Sequence, residues 1–280
     1  MSDHGRLSKE ARDVDLELGV IYTHEDNFMP KLLSTLSRSG DDLRMRLLLV
    51  DNCSEDGVEK WKGYFPRTTV IENSRRLLYG ANLNRILEKS TAPYVLLLNT
   101  DMYFDPQEQC LAKMVRFMRE NPDCGIAGCR LYLGDGEFAY PARRFQTVST
   151  LLARRFGLGK LLGGTLDSYF YREYAEEDVF DCDWLSGCFM MVRREAMEDV
   201  GLLDSGFVKY FEDVDYCLRM ARAGWKVMYN GRTYGHHLEE RASTNILSID
   251  ARRHARSYLR WLRKWGISPQ ACQQDSRRAA

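Results

Sequence analysis

The sequence has no apolar run near the ~20 residues that a membrane-spanning helix requires. Its longest apolar segments, such as 94–98 and 188–192, have only the length of buried strands. The first fifteen residues are polar and charged, so we expect no secretory signal there. Together these absences predict a cytoplasmic protein.

The chain also lacks net charge and closely paired cysteines. Its 40 Lys and Arg balance 40 Asp and Glu, so no overall field attracts phosphate backbones and we expect no nucleic-acid partner. None of the 8 cysteines forms a Cys-x-x-Cys pair, which disfavours a zinc site and predicts buried, reduced thiols. A hydrophobic content of 44% excludes a disordered chain and is enough for a substantial core.

The charge is unevenly distributed along the chain. Residues 251–280 hold seven Arg and one Lys against a single Asp, which leaves the rest of the chain acidic. Within this tail, 250–265 predicts a basic helix with an aromatic and aliphatic stripe. The helix could contact an anionic membrane surface, as could the basic and apolar segment 143–163. Alternatively, its stripe packs on the body or on a second subunit, as in a homodimer.

Strand and helix patterns alternate through the first half of the chain. We predict strands at 16–22, 47–50, 69–72 and 94–98, and helices at 28–36, 79–89 and 106–121. This alternation indicates a parallel α/β sheet, in which ligands bind beyond the carboxyl ends of the strands. The second half is less regular. We predict an excursion at 141–175, strands at 184–192 and 225–229, and helices at 194–200 and 213–223.

Four polar clusters carry the candidate chemistry. Asp51 and Asp101 stand where predicted strands end, and a carboxylate there can bind a nucleoside or share a divalent cation with a diphosphate. Residues 210–217 place three carboxylates beside aromatic side chains, where a raised pKa would suit a general base. His236 and His237 follow the last predicted strand and could bind a metal. Each cluster also has a structural explanation, as a turn, a helix cap or a complement to a helix dipole.

The order and spacing of these clusters resemble a known family. The sequences at 50–52, 98–101, 182–229 and 237–241 are similar to those of bacterial family 2 glycosyltransferases, specifically the rhamnosyltransferase-like enzymes of surface polysaccharide assembly. The resemblance covers roughly residues 16–265. It implies an α/β GT-A fold in one domain, with a mostly parallel central sheet and a C-terminal helical extension.

The resemblance also implies a division of the chain. Residues 1–15 would be a polar N-terminal segment, and 16–249 the GT-A domain, with a nucleotide-sugar half at about 16–125 and an acceptor half at about 126–249. Residues 250–280 would form a basic C-terminal helix and tail.

Site residues follow from the resemblance. Asp213 would be the catalytic base, and Asp101 and His237 would bind Mg²⁺ or Mn²⁺, with His236 as the competitor of His237. Substrate contacts would come from the remaining matching positions, which are Thr23, Asp51, Asn52, Asn84, Asn99, Trp184, Gly187 and Glu212. The sequence departs from the family at 24–25 and at 76–79, which places the identity of the donor in question.

The implied reaction is an inverting transfer of a sugar from a UDP- or dTDP-linked donor to a hydroxyl of a glycan, lipid-linked or small-molecule acceptor. The enzyme would meet a lipid-linked acceptor at the inner face of the cell membrane. A sugar-nucleotide nucleotidyltransferase is a rival, but the turn after the first strand has no Gly-rich basic loop. A non-catalytic protein that binds nucleotide-sugars is a second rival.

Overall fold

The computed structural model describes residues 14–147, 150, 163–238 and 249–266. Its strands are β1 (Leu16–Tyr22), β2 (Met45–Asp51), β3 (Thr68–Glu72), β4 (Tyr94–Leu98), β5 (Met102–Tyr103), β6 (Cys124–Leu133), β7 (Ala142–Arg143), β8 (Val179–Asp181), β9 (Trp184–Leu185), β10 (Phe189–Arg193) and β11 (Lys226–His237). Its α-helices are α1 (Met29–Leu36), α2 (Tyr79–Lys89), α3 (Cys110–Glu120), α4 (Gly163–Tyr169), α5 (Arg194–Val200), α6 (Glu212–Arg222) and α7 (Ile249–Trp265). Predictions for 1–13, 151–162, 239–248 and the tail beyond 266 fall outside the described residues.

One mixed sheet of nine strands dominates the described part of the chain, in the order β3-β2-β1-β4-β10-β6-β11-β5 with β8 added on β11. Strands β1 to β4 are mutually parallel. Strand β10 runs antiparallel to both β4 and β6, so β6 points the same way as β1 to β4. Strand β11 is parallel to β6 and therefore shares this direction. Six of the nine strands therefore point the same way, and the predicted α/β class with a mostly parallel sheet is confirmed.

Helices cover both faces of this sheet, which is why β1 and β4 are apolar along most of their length. Helices α1 and α3 pack on one face, whereas α2, α5, α6 and α7 pack on the other. Gly19 in β1 allows the close approach of α2, since a Cβ at that position would lie 2.5 Å from Ile86 Cγ2. The carboxyl ends of β1 to β4 consequently meet at one open edge of the sheet.

Several predicted boundaries are wrong where distant contacts override the local pattern. The predicted strand 184–192 is two strands, because β9 leaves the central sheet to pair with β7 and the chain turns at Gly187 and Cys188. The predicted helix 106–121 is interrupted at Gln109, whose backbone is left-handed at φ +53°. The glycine-containing β6 was not predicted. The last strand runs on to His237 through an irregular register, so His237 ends a strand instead of following one.

The C-terminal helix α7 is docked on the body of the protein. Trp261 is 1% exposed and its ring lies 5.9 Å from the rings of Phe145 and Phe211. Tyr258, Leu262 and Trp265 pack against the same core, so most of the apolar stripe faces the body of the protein, which is the second of the two alternatives. The outward face of α7 keeps its exposed arginines and Leu259. Among the described residues, no helix combines the length and the apolar character that crossing a membrane demands.

Six of the seven cysteines in the described residues agree with the prediction of buried, reduced thiols. All seven cysteines in the described residues are free, and six of them are buried. Cys53 is the exception, because it is exposed in the turn that follows β2.

Candidate active site

The residues that follow β2 form a structured turn at the open edge of the sheet. Asp51 Oδ1 accepts a hydrogen bond from Ser54 N (2.8 Å), so one carboxylate oxygen closes this turn. Asn52 is buried, accepts from Leu77 N (2.8 Å), and donates to Leu77 O and Thr23 Oγ1 (3.3 Å each). Asn52 thus fixes the loop that leads into α2, which gives this predicted substrate contact a structural role.

Two asparagines that sequence reasoning missed extend this network. Asn73 donates to Asn52 Oδ1 (3.3 Å) and to Asn82 Oδ1 (2.6 Å), and Asn82 donates to Leu77 O (3.2 Å). The three amides tie β2, the loop and α2 together. An asparagine at each of these elements, around a loop without glycine, is the signal that could have revealed the network.

Asp101 and His237 come together through the pairing of β5 with β11. His237 lies opposite Met102, and Leu238 N donates to Asp101 O (2.9 Å). His237 Nε2 is 3.1 Å from Asp101 Oδ2. Burial opposes a charge on the ring, but the neighbouring Asp101 carboxylate and Cys188 thiol outweigh it and raise the pKa of the metal-free His237 to about 10.

His236 takes a different position from its neighbour. Its ring stacks on Tyr103, with 4.5 Å between the ring centroids and 8° between the ring planes. Successive residues of a strand point to opposite faces, so the two histidines cannot both face Asp101. Of the two histidines, His237 is therefore the one that faces Asp101.

The Asp101–His237 pair fits a divalent cation in chemistry and spacing. Nε2 of His237 is buried and makes no well-aligned hydrogen bond within the described residues, although it lies at ion-pair distance from Asp101. Neighbouring ligands on an octahedral ion with bonds of ~2.1 Å lie about 3 Å apart, which is close to the 3.1 Å between these two atoms. No group of three or more His, Cys, Asp or Glu suited to a metal occurs in the described ranges, so further ligands would come from a diphosphate or water.

Tyr79, which sequence reasoning missed as a site residue, joins the two halves of the site. Its hydroxyl lies 2.8 Å from Asn99 Oδ1 and 3.2 Å from the Gly187 carbonyl oxygen, and donates toward both. Burial, together with the charge of Glu212, raises the pKa of Tyr79 well above its usual value, so the hydroxyl remains a donor. Asn99 therefore faces Tyr79, and Tyr79 links the end of β4 to the segment between β9 and β10.

Replacing Tyr79 with Phe tests this link. We expect the free energy of unfolding to fall by about 1–3 kcal/mol, because two acceptors lose their donor. Urea denaturation of the variant and the parent protein measures the difference. Tyr64→Phe is the matched control, since Tyr64 is 45% exposed and its change should stay within about 0.5 kcal/mol. Equal stabilities for Tyr79→Phe and Tyr64→Phe would contradict the link.

Asp213 is the second residue of α6, and this helix begins directly after two residues with left-handed backbone. Tyr210 and Phe211 have φ values of +65° and +72°, and each such residue costs about 1–3 kcal/mol unless it is glycine. Asp213 Oδ2 accepts from Gly187 N (3.0 Å), and Oδ1 accepts from Val214 N (2.9 Å). The Asp213 side chain stays partly exposed at the edge of the site.

Glu212 and Asp213 both hold protons more tightly than free carboxyls do. Burial, and then the charge of Asp213, raises the pKa of Glu212 to about 8. Burial also raises the pKa of Asp213, against the opposing effects of the Val214 and Gly187 N–H groups and of the Arg143 charge. Glu212 is 7% exposed, and its Oε2 has no hydrogen-bond partner in the described part of the chain. Asp213 is the partly exposed member of this pair, so it is the carboxylate that an acceptor hydroxyl could reach and that could take up its proton.

The raised pKa of Glu212 makes stability depend on pH. Between the usual value of 4.5 and about 8, the folded protein keeps a proton that the unfolded chain releases. Stability attributable to Glu212 therefore falls with rising pH, by up to about 1.4 kcal/mol per pH unit in that window. We expect Glu212→Gln to remove this trend in urea denaturation at pH 5 to 8, with Glu59→Gln as a control at an exposed site. A constant difference between Glu212→Gln and the parent protein at every pH would contradict it.

Arg143 is a further residue of the site that sequence reasoning assigned to a surface segment. The pairing of β7 with β9 places Arg143 opposite Trp184, and its guanidinium lies 5.1 Å from the Trp184 ring centroid. Its charge acts on Asp213 and lowers the pKa of that carboxyl against burial. The segment 141–175 has no clear periodicity, so its sequence gave no indication of this placement.

Two other predicted substrate contacts have structural roles. Trp184 is 5% exposed, and its Nε1 donates to Arg144 O (2.8 Å). The Asn84 side chain donates to Leu203 O and accepts from Leu203 N (2.9 Å each). Gly187 does belong to the site, because its N–H and carbonyl bind Asp213 and Tyr79, and a Cβ there would lie 3.4 Å from Asp213 Oδ2.

Comparison with known families places this site in context. The family described as "Glycosyl transferase family 2" matches residues 19–201, well over half of the chain. The chain belongs to glycosyl transferase family 2. The matched range includes Asp51, Asp101 and Gly187 of this glycosyltransferase, whereas Asp213 and His237 lie beyond it.

Two relatives of this glycosyltransferase are rhamnosyltransferases. It is 27% identical over 272 residues to N-acetylglucosaminyl-diphospho-decaprenol L-rhamnosyltransferase of Mycobacterium tuberculosis strain ATCC 25618 / H37Rv, which covers 85% of this chain and 84% of the relative. It is 24% identical over 254 residues to Rhamnosyltransferase WbbL of Escherichia coli strain K12, which covers 87% of this chain and 90% of the relative.

Solved structures support the GT-A fold. GalNAc-T7 with UDP, GalNAc and Mn²⁺ superposes with a TM-score of 0.66 at 14% identity, covering 92% of this chain and 50% of that chain. The mannosyltransferase PcManGT from Pyrobaculum calidifontis, in complex with GDP-Man and Mn²⁺, gives a TM-score of 0.56 at 16% identity, covering 99% and 82%. At these identities the likeness concerns the fold alone.

Proposed function

We propose that this glycosyltransferase moves a sugar from a nucleoside-diphosphate donor to an acceptor hydroxyl by direct displacement, with inversion at the anomeric carbon. The observation that carries the proposal is the connection through Tyr79 and Gly187. It joins Asn99, two residues from the Asp101–His237 pair, to the Asp213 carboxylate. A site for a metal-bound diphosphate and a site for a base thus belong to one hydrogen-bonded unit.

Asp213 is the proposed general base. An acceptor hydroxyl is a poor nucleophile, so its proton must be taken up as the new bond forms. Each Asp213 oxygen accepts one backbone N–H and retains a lone pair that can receive this proton. Burial raises the pKa of Asp213 and so strengthens it as a base, while the partial exposure of its side chain leaves room for the acceptor.

Asp101 and His237 are the proposed ligands of a divalent cation, Mg²⁺ or Mn²⁺. When bound, such a cation neutralises the charge that develops on the leaving diphosphate. Asn99 and Asp51 lie at the ends of β4 and β2, on the edge of the sheet where the donor nucleotide would bind. A divalent cation is consistent with GalNAc-T7 and PcManGT, which share this fold and whose structures both contain Mn²⁺.

We propose L-rhamnose as the transferred sugar, carried on UDP or dTDP, and a lipid-linked or polysaccharide-precursor acceptor. The names of the two rhamnosyltransferase relatives support this choice, and one of them specifies an N-acetylglucosaminyl-diphospho-decaprenol acceptor. Such an acceptor would be met at the inner face of the cell membrane. Because Trp261 is buried, the part of α7 that could contact anionic lipid is its set of exposed arginines.

The test is a transfer assay with purified protein and Mn²⁺. Donors would be UDP- and dTDP-rhamnose and UDP-N-acetylglucosamine, and the acceptor an N-acetylglucosaminyl diphosphate on a short prenyl chain. We expect release of nucleoside diphosphate together with an acceptor heavier by one deoxyhexose in mass spectrometry. Binding of donors without turnover would instead favour a non-catalytic nucleotide-sugar-binding protein.

A further inference from the structure

The backbone just before the proposed base is held by the C-terminal helix α7. Ser257 is 1% exposed, and its Oγ accepts hydrogen bonds from Val208 N (3.1 Å) and Lys209 N (3.3 Å). These amides precede the left-handed pair Tyr210 and Phe211. One hydroxyl of α7 therefore fixes the entry into a turn that few residue types adopt unaided.

Of the two aromatic residues in this turn, Phe211 is also enclosed by α7. Phe211 is 2% exposed, and its ring centroid lies 5.5 Å from that of His254, 5.6 Å from Tyr258 and 5.9 Å from Trp261. These three residues lie on successive turns of one helix face. Their packing stabilises the left-handed conformation from which α6 starts, and with it the direction in which Glu212 and Asp213 leave the turn.

Helix α7 also fixes the first turn of α6, on the C-terminal side of Asp213. Asp215 is fully buried and accepts a hydrogen bond from Trp265 Nε1 (2.8 Å) on Oδ1, which is also 2.7 Å from Lys264 Nζ. Its Oδ2 accepts from Arg219 Nε (2.9 Å) within α6. Helix α7 thus contacts the chain both before and after Asp213, although no contact between α7 and Asp213 itself is involved.

We propose that α7 positions the general base, and that Ser257 and Trp265 are the positioning residues through which it does so. The proposal rests on the proposed function, because it takes Asp213 as the base. In it, Ser257 fixes residues 208–209 and Trp265 fixes the start of α6 through Asp215. The Asp213 carboxylate is thereby held at the Gly187 N–H, where the acceptor hydroxyl would arrive.

Hydrogen exchange tests the hold of α7 on the turn whatever the substrate is. We would compare the full chain with Ser257→Ala, which removes the acceptor, and Trp265→Phe, which keeps a ring but removes the donor. We expect exchange of amides 208–209 to rise about tenfold or more in Ser257→Ala, and exchange in the first turn of α6 to rise similarly in Trp265→Phe. Unchanged exchange in both variants would overturn the proposal.

Transfer kinetics then separate positioning from general loosening. We expect kcat to fall roughly 10- to 100-fold in both variants, since small displacements of a catalytic group are costly. The donor KM and the Kd for nucleoside diphosphate with Mn²⁺ should stay within about twofold. Leu259→Ala, on the exposed side of the same helix, is the matched control and is expected to keep full activity.

Two kinetic outcomes would overturn the positioning role. One is an unchanged kcat despite faster exchange. The other is a loss of nucleotide affinity in proportion to kcat, which would indicate that the whole site has loosened. Absence of transfer by the parent protein with every donor would instead remove the proposed function, and the exchange data would still decide whether α7 holds the turn.

Discussion

Asp213→Asn should lower the rate of sugar transfer by about 10²- to 10⁴-fold, the usual effect of removing a general base. The substitution keeps the size of the side chain and an oxygen that can accept the Gly187 N–H, which the structure places 3.0 Å from Asp213 Oδ2. Nucleotide binding should therefore stay within a few-fold of the parent protein. Initial rates at saturating donor and acceptor, with calorimetric titration of nucleoside diphosphate and Mn²⁺, measure both quantities.

Glu212→Gln is the control for Asp213→Asn. Burial raises the pKa of Glu212 to about 8 and so favours its protonated form. A neutral amide therefore resembles its native state, and we expect transfer at pH 7 to stay within about tenfold. If Asp213→Asn kept most of its activity while Glu212→Gln lost it, the assignment of the base would be wrong.

The second large effect is expected at the proposed metal site. Asp101→Ala should lower transfer at least about 100-fold, since metal stabilisation of a leaving group contributes several kcal/mol. His237→Ala should have a smaller effect, about tenfold, because the carboxylate is the preferred ligand of a hard cation. Both variants should bind nucleoside diphosphate more weakly in the presence of Mn²⁺, as measured by titration with and without the metal.

The neighbouring histidine offers a matched control for His237→Ala. His236 stacks on Tyr103 instead of facing Asp101, so His236→Ala should leave the dependence of nucleotide binding on Mn²⁺ unchanged. Full transfer activity of the parent protein in excess EDTA would contradict the metal proposal for Asp101 and His237 together.

Local sequence patterns correctly predicted those helices and strands whose boundaries are not altered by contacts with the rest of the fold. The predicted helices 79–89 and 194–200 and the strands 16–22 and 94–98 coincide with the observed elements. The convergence of strand ends also followed from the sequence, because parallel strands present their carboxyl ends at one edge. This is why Asp51 and Asp101 could be placed at one edge of the sheet before the fold was known.

Long-range contacts explain what the sequence did not show. Asn52 and Asn84 are types that often bind ligands, but backbone groups of Leu77 and Leu203 use their amides. Tyr79 becomes a site residue only because Gly187, more than a hundred positions later, lies beside it. Such partners are chosen by tertiary packing, which leaves no periodic signal in the sequence.

The measurement that tests the central claim most directly is the anomeric configuration of the transferred sugar, determined by NMR of the product and compared with that of the donor. Direct displacement with Asp213 as base predicts a product with inverted configuration and no covalent sugar–enzyme intermediate. A product that retains the donor configuration would contradict the account of Asp213 and of the reaction.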